Sequence, residues 1–258
     1  MKITISTIQA DLFWEDKSSN LKMFETAFEE VSNDSKLVIL PEMFSTGFSM
    51  NPCHLAEMYN EKTVNWMQTK AKEINKWICG SLIIHENDTY YNRLFVCSPN
   101  GKYHTYNKKH LFRYANEHLN YSDGSNELIL DIEGVKFSFF ICYDLRFPVW
   151  SRNLNLKYDA AVYVANWPKK RREHWSSLLK ARAIENQAYV IGVNRIGTDG
   201  NGVEHSGDTA VFDALGKQIS KTQPHEFCVE NVELNIDLLR EYRAKFPAHL
   251  DADDFKLL

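Results

Sequence analysis

The chain has 258 residues, and its 30 lysines and arginines against 34 aspartates and glutamates leave a net charge of −4. With 44% hydrophobic and 25% charged residues it has the composition of an ordinary globular protein, which excludes low-complexity disorder. The slight acidity argues against general nucleic-acid binding, which needs a broad basic surface. No apolar run nears the ~20 residues that span a bilayer.

Residues 3–8 alternate as a strand does and lack the basic, apolar, small-residue order of a secretory signal, so the expected address is the cytoplasm. Leu21, Phe24, Phe28 and Val31 recur at helical spacing and predict a helix over 18–31. A short buried strand over 37–40 stops at Pro41. Val64, Met67, Ala71 and Ile74 mark a second helix. Strands follow over 77–84, 90–97 and 102–106, separated by turns at 87–88 and 99–101. An apolar strand over 135–141 leads to a helix expected over 148–156 and a strand over 160–165. Trp175, Leu178, Leu179 and Ile184 predict a helix over 172–187. Strands over 189–195, 209–213 and 227–235 precede a last helix around Leu238, Leu239 and Tyr242. There is no linker, repeat or composition shift, so one domain over 1–258 is expected, an α/β fold with sheets covered by helices.

Five cysteines, an odd number with no C-x-x-C pair, argue against a disulfide framework or a structural zinc site. Cys79, Cys97 and Cys228 fall in strands and read as small core residues. Cys53 lies beside His54, a spacing that rarely sets a base against a nucleophile. Cys142 differs. It ends the apolar run 137–141, with polar Asp144 and Arg146 next and a helix start possible at Pro148. A strand, a sharp turn and a helix would put the thiol at a helix N-terminus, where the dipole and free N–H groups favour thiolate and receive an oxyanion. Position alone leaves two readings open, nucleophile and buried hydrophobe.

Glu42 follows the 37–40 strand directly among apolar residues. Desolvation there would raise its pKa toward the range of a general base. The competing reading is a solvated loop glutamate. His110, within 107–112, is a third candidate for proton transfer.

Together these segments resemble the nitrilase superfamily of carbon–nitrogen hydrolases, which uses a Glu-Lys-Cys triad. Leu40-Pro41-Glu42 is similar to its first motif and Tyr106 through Phe112 to its second, where the lysine two places before the histidine selects Lys108. Cys142-Tyr143-Asp144-Leu145-Arg146-Phe147-Pro148 is similar to the third. Five further segments, at 44–48, 113–118, 147–153, 163–168 and 181–190, and the tail over 245–255, resemble the omega-amidase branch, the 2-oxoglutaramate amidases. The resemblance implies a four-layer αββα sandwich, paired across a helical face into a homodimer. It implies hydrolysis of a small-molecule amide, the terminal amide of a 2-oxo dicarboxylic acid, through a thioester on Cys142. Glu42 would be the base. Lys108 and the backbone N–H of Tyr143 would hold the oxyanion, and Glu117 would orient Lys108 and water. No metal or cofactor is expected, since the sequence offers no convincing ligand cluster.

Such a substrate carries a carboxylate that needs a cation. Arg113 and Arg171 are the candidates, whereas Lys169, Lys170 and Arg172 read as solvated surface. Phe44 and Trp167 adjoin motif residues and are candidates for the pocket wall. Arg182 and Glu185, three apart on one helix, and His110 read as support for the site. The alternatives are another amidase of the superfamily, such as a deaminated-glutathione amidase or an N-carbamoyl hydrolase, or a non-catalytic metabolite-binding scaffold.

Overall fold

The computed structural model describes residues 1–255. Strand β1 (Lys2–Gln9) is followed by helix α1 (Lys17–Ala27), β2 (Ser35–Ile39), the one-turn α2 (Pro52–Leu55) and α3 (Lys62–Glu73). Then come β3 (Trp77–Glu86), β4 (Thr89–Cys97), β5 (Tyr103–Asn107), the short α4 (Glu117–Asn120), β6 (Ile129–Ile132) and β7 (Val135–Ile141). The chain continues through β8 (Ala160–Ala165), α5 (Arg172–Asn186), β9 (Tyr189–Asn194), β10 (Ile196–Thr198), β11 (Glu204–Ser206), β12 (Ala210–Phe212), β13 (Cys228–Asn235) and α6 (Ile236–Lys245).

The strands form a six-stranded sheet in the order β13-β1-β2-β3-β4-β5 and a five-stranded sheet in the order β12-β9-β8-β7-β6. Period-two alternation distributes β2 between two cores. Leu37 and Ile39 join Phe137, Phe139 and Ile141 of β7 between the sheets. Val38 and Leu40 face Phe24 of α1 and Met67 of α3 on the outer side. Trp175, Leu179 and Ala183 of α5 close the other outer face. The layers are therefore helix, sheet, sheet, helix, as the resemblance implied. None of the helices among the described residues is long and apolar enough to cross a membrane.

The helix expected over 148–156 does not form. Turns occupy it, ending in a 3-10 turn at Leu154–Leu156 with Asn155 at φ 54°. The cause is Asn153, whose side chain accepts from the Tyr158 N–H and donates to the carbonyls of Tyr158 and Asn186. These local bonds compete with a helix ladder. The expected strands lacked β6, β10 and β11, which are three or four residues long. Both of their hairpins carry a turn signature: Glu133 at φ 53° and Gly134 at φ 80° join β6 to β7, and Asp199-Gly200-Asn201-Gly202 joins β10 to β11.

Strands β1, β2 and β3 run parallel, as do β7, β8 and β9. Chain segments leaving the carboxyl ends of β2, β7 and β8 carry Glu42, Cys142 and Asn166. In α/β sheets this is the edge where ligand sites form.

Candidate active site

Glu42, Lys108, Cys142 and Asn166 each follow the end of a strand, whereas Asn92 lies within β4 and Glu117 opens α4. Glu42 follows β2, and its carboxylate is fully buried. Its Oε1 accepts from Lys108 Nζ at 2.8 Å and Asn92 Nδ2 at 2.8 Å, and its Oε2 accepts from the Asn166 N–H at 2.8 Å. Lys108 follows β5 and is also buried. Its Nζ donates to both Glu117 oxygens at 3.0 Å and lies 5.0 Å from the Phe48 ring centre. Glu117 opens α4, and its Oε2 also accepts from the Phe112 N–H at 2.5 Å.

Cys142 opens a 3-10 turn over Cys142–Arg146 at φ 44°, a strained value for a residue with a side chain. Asp144 holds that strain. Its Oδ2 accepts from the Ile141 N–H and the Tyr106 hydroxyl, and its Oδ1 accepts from the His110 N–H and lies 2.8 Å from His110 Nδ1. One carboxylate thus ties the cysteine turn to the segment carrying Lys108. Arg182 braces the turn from behind, donating to the Leu145 carbonyl at 2.7 Å and to Glu185 at 2.9 Å. Tyr143 is the second residue of the turn, where a helical N–H has no partner within its own helix.

Two carboxylates around one ammonium set the electrostatics. Burial lowers Lys108, but Glu117 and then Glu42 outweigh it, so its pKa is raised and the ammonium stays charged. Burial raises Glu117, opposed by Lys108 and reinforced by Glu42. Burial also raises Cys142 well above the ordinary thiol range, with Glu42's charge adding to it. This corrects the expectation of a resting thiolate at a helix N-terminus. The turn is five residues of 3-10 helix, too short for its dipole to overcome desolvation. A raised value keeps the proton on through neutral pH. The ultraviolet thiolate absorbance that differs between the protein and Cys142→Ser is therefore expected to rise only at alkaline pH. A thiolate signal already full at pH 7 would contradict this.

Cys142, Glu42 and Lys108 open onto a cavity of about 820 Å³. Trp167 and Arg171 line it, as do Phe48, Phe112, Tyr114, Tyr143 and Arg146. Lys170, expected as plain surface, lies at its rim. Lys169 and Arg172 pair with Glu204 and Asp208.

Two candidates lie elsewhere. Arg113 lines a separate depression with Lys109 and His118. Phe44 is fully buried behind the sheet, 5.5 Å from the Phe24 ring and 6.0 Å from Trp66. A Cβ at Gly80 would meet the Phe44 ring at 2.7 Å. Phe44→Ala is therefore expected to cost about 3–5 kcal/mol in denaturant unfolding, with KM unchanged. A raised KM at unchanged stability would return Phe44 to the pocket. Asn92, Asn166 and Arg146 were not anticipated. Asn92 carries no motif signal, whereas Asn166 stands within the family-like segment 163–168 and Arg146 within the cysteine motif.

The comparisons with known proteins agree with this geometry. The family model described as carbon-nitrogen hydrolase matches residues 4–244. The chain belongs to the carbon–nitrogen hydrolase family. It is 45% identical to omega-amidase YafV of Escherichia coli strain K12 over 100% of this chain and 98% of that one. It is 34% identical to 2-oxoglutaramate amidase of Bacillus subtilis strain 168, over 97% and 98% of the two chains. A solved CN-hydrolase superfamily protein of Xanthomonas campestris, with an arsenic adduct in its active site, superposes at a TM-score of 0.97 with 38% identity, covering 100% of both chains.

Proposed function

We propose that this carbon–nitrogen hydrolase is an omega-amidase, releasing ammonia from the terminal amide of 2-oxoglutaramate or 2-oxosuccinamate. The observation that carries the reading is the buried Glu42–Lys108–Glu117 cluster at the cysteine turn, inside a cavity whose wall holds arginines. The full-length likeness to relatives named omega-amidase and 2-oxoglutaramate amidase supports the substrate.

In this mechanism Cys142 Sγ attacks the amide carbon while Glu42 takes the thiol proton. Because the thiol rests protonated, transfer and attack belong to one event. Charge moves onto the amide oxygen, which Lys108 Nζ and the Tyr143 N–H receive; such donors act strongly in a dry site. Glu42 returns the proton to the leaving nitrogen, and ammonia departs from a thioester on Cys142. Glu42 then activates water, and the acid leaves. Glu117 fixes Lys108 from the side opposite Glu42. Arg171 binds the distal carboxylate, and Trp167, whose Nε1 donates to the Arg171 carbonyl at 2.8 Å, holds that wall.

Ammonia release from 2-oxoglutaramate, with glutamine and deaminated glutathione as comparators, tests the substrate. Release from the oxo-amide far above the comparators is expected. A preference for another amide would keep the chemistry and remove the substrate. The reading also includes a cytoplasmic homodimer paired across a helical face. Exposed Ile184 on α5 and Leu238 on α6 support the pairing, and a monomer in sedimentation velocity would contradict it.

A further inference from the structure

The mechanism uses neither Arg113 nor His118, yet the two converge. With Lys109 and His110 they line a depression of about 680 Å³, a size ordinary for small-molecule sites. Tyr143 lines both this depression and the active-site cavity, and so stands between them. Four basic side chains meet here against one lining carboxylate, Asp123, in a chain whose net charge is −4. The Asp123 side chain is 59% exposed and lies 3.3 Å from Lys109 Nζ, a surface pair that neutralises little. Arg113 is exposed and has no carboxylate partner among the described residues.

The two imidazoles tie the depression to the catalytic segments. Asp144 is fully buried, and its Oδ1 accepts from the His110 N–H and lies 2.8 Å from His110 Nδ1, which as its neighbour donates. The His110 ring lies flat on Phe147, with centres 3.8 Å apart and planes 7° from parallel. Its orientation is therefore fixed. His118 follows Glu117 in α4, and its Nδ1 is buried without a hydrogen-bond partner among the described residues. A buried polar atom is costly until something pairs with it.

We propose that this depression is a second ligand site that takes a compact polyanion bearing phosphate or carboxylate groups. Arg113 offers such oxygens its planar fork, Lys109 adds a point charge, and His118 Nδ1 gains the partner it lacks. Occupancy reaches the chemistry through charge. Lys109 adjoins Lys108, His118 adjoins Glu117, and the Tyr143 N–H receives the oxyanion in the mechanism above. Negative charge builds up at that N–H in the transition state, so an anion on the far side of Tyr143 opposes it. The bound polyanion is an inhibitor that lowers kcat without displacing the amide.

Calorimetry with pyrophosphate and with citrate tests the site. At least one is expected to bind one-to-one, and the tighter of the two identifies phosphate or carboxylate as the preferred group. Arg113→Gln should weaken that binding roughly 10-fold or more, as for loss of a charged hydrogen bond, and His118→Ala should weaken it by less. Arg113 is exposed, so its Tm should not change. Arg171→Gln, on the active-site wall, should leave the affinity unchanged. Binding of neither anion, or binding lost in Arg171→Gln and kept in Arg113→Gln, would overturn the proposal. At saturating 2-oxoglutaramate the anion is expected to lower kcat roughly two- to tenfold, and Arg113→Gln to relieve the inhibition. Inhibition that excess amide removes would put the anion in the active site, and an unchanged kcat would overturn the coupling. The binding arm is independent of the amidase reading. If no amide is hydrolysed, that reading fails on its own, and the alkylation rate of Cys142 by iodoacetamide replaces kcat. Slower alkylation with the anion bound supports the coupling, and an equal rate overturns it.

Discussion

Cys142→Ala is expected to lower kcat for the oxo-amide by on the order of 10⁶, the size of loss that follows removal of a nucleophile from a coupled triad. The fold should survive. Cys142 is only partly buried and packs at the edge of the inter-sheet core. The turn around it is held by Asp144 and Arg182 rather than by sulfur. Cys142→Ser is the sharper control. A hydroxyl fits the same strained position but is a far weaker nucleophile, so its activity should fall almost as far while 2-oxoglutarate still binds. A serine variant with near wild-type turnover would mean that water, activated by Glu42, attacks directly.

Glu42→Gln is expected to lower kcat by on the order of 10⁴, the upper range for loss of a general base. Here the base must also accept a proton from a thiol that burial holds protonated. Glutamine keeps an oxygen that can face Lys108 and Asn92. Its amide nitrogen then points a donor at the Asn166 N–H, which loses its acceptor. A buried donor left unpaired costs about 1–3 kcal/mol, so a modest drop in stability should accompany the kinetic loss. Lys108 keeps its bonds to Glu117 and so keeps its charge. The oxyanion partner therefore remains, and substrate KM should change far less than kcat. Stability lost with kcat intact would make Glu42 a scaffold residue.

What the sequence made legible follows from where each residue's reason lies. Glu42 and Cys142 stand directly after apolar strands, so local pattern placed both at strand ends, where the folded chain has them. Selecting Lys108 over Lys109 took the family motif. The structure gives the physical difference: Lys108 points inward between two carboxylates, and Lys109 pairs outside with Asp123. Phe44 misled because it lies two residues from Glu42. Met43 between them has φ 43°, so two-residue alternation no longer applies, and Phe44 turns to the helices behind the sheet. Arg113 misled for a similar reason. It begins a 3-10 turn that ends at left-handed Asn116, which sends neighbouring side chains to different depressions.

The bonds of Asn92 and Asn166 to Glu42 could not be read from the sequence because they are relational, even though Asn166 lies in the family-like segment 163–168. Each is an ordinary asparagine until β4, two strands from β2 in the same sheet, and the end of β8 in the facing sheet bring both onto one carboxylate. The layer order was legible in part, since strands and helices alternate clearly. Which strands share a sheet was not. The pairing of β1 with β13, the first and last strands, joins residues more than two hundred positions apart.

The mechanism turns on a thioester on Cys142, which the intact mass of the protein quenched with acid during turnover of 2-oxoglutaramate, followed by peptide mapping, would detect. An acyl adduct is expected on the peptide containing Cys142, removed by hydroxylamine and missing in Cys142→Ala. Ammonia release at full rate by the wild type, with no adduct on Cys142 and undiminished turnover in Cys142→Ala, would contradict it.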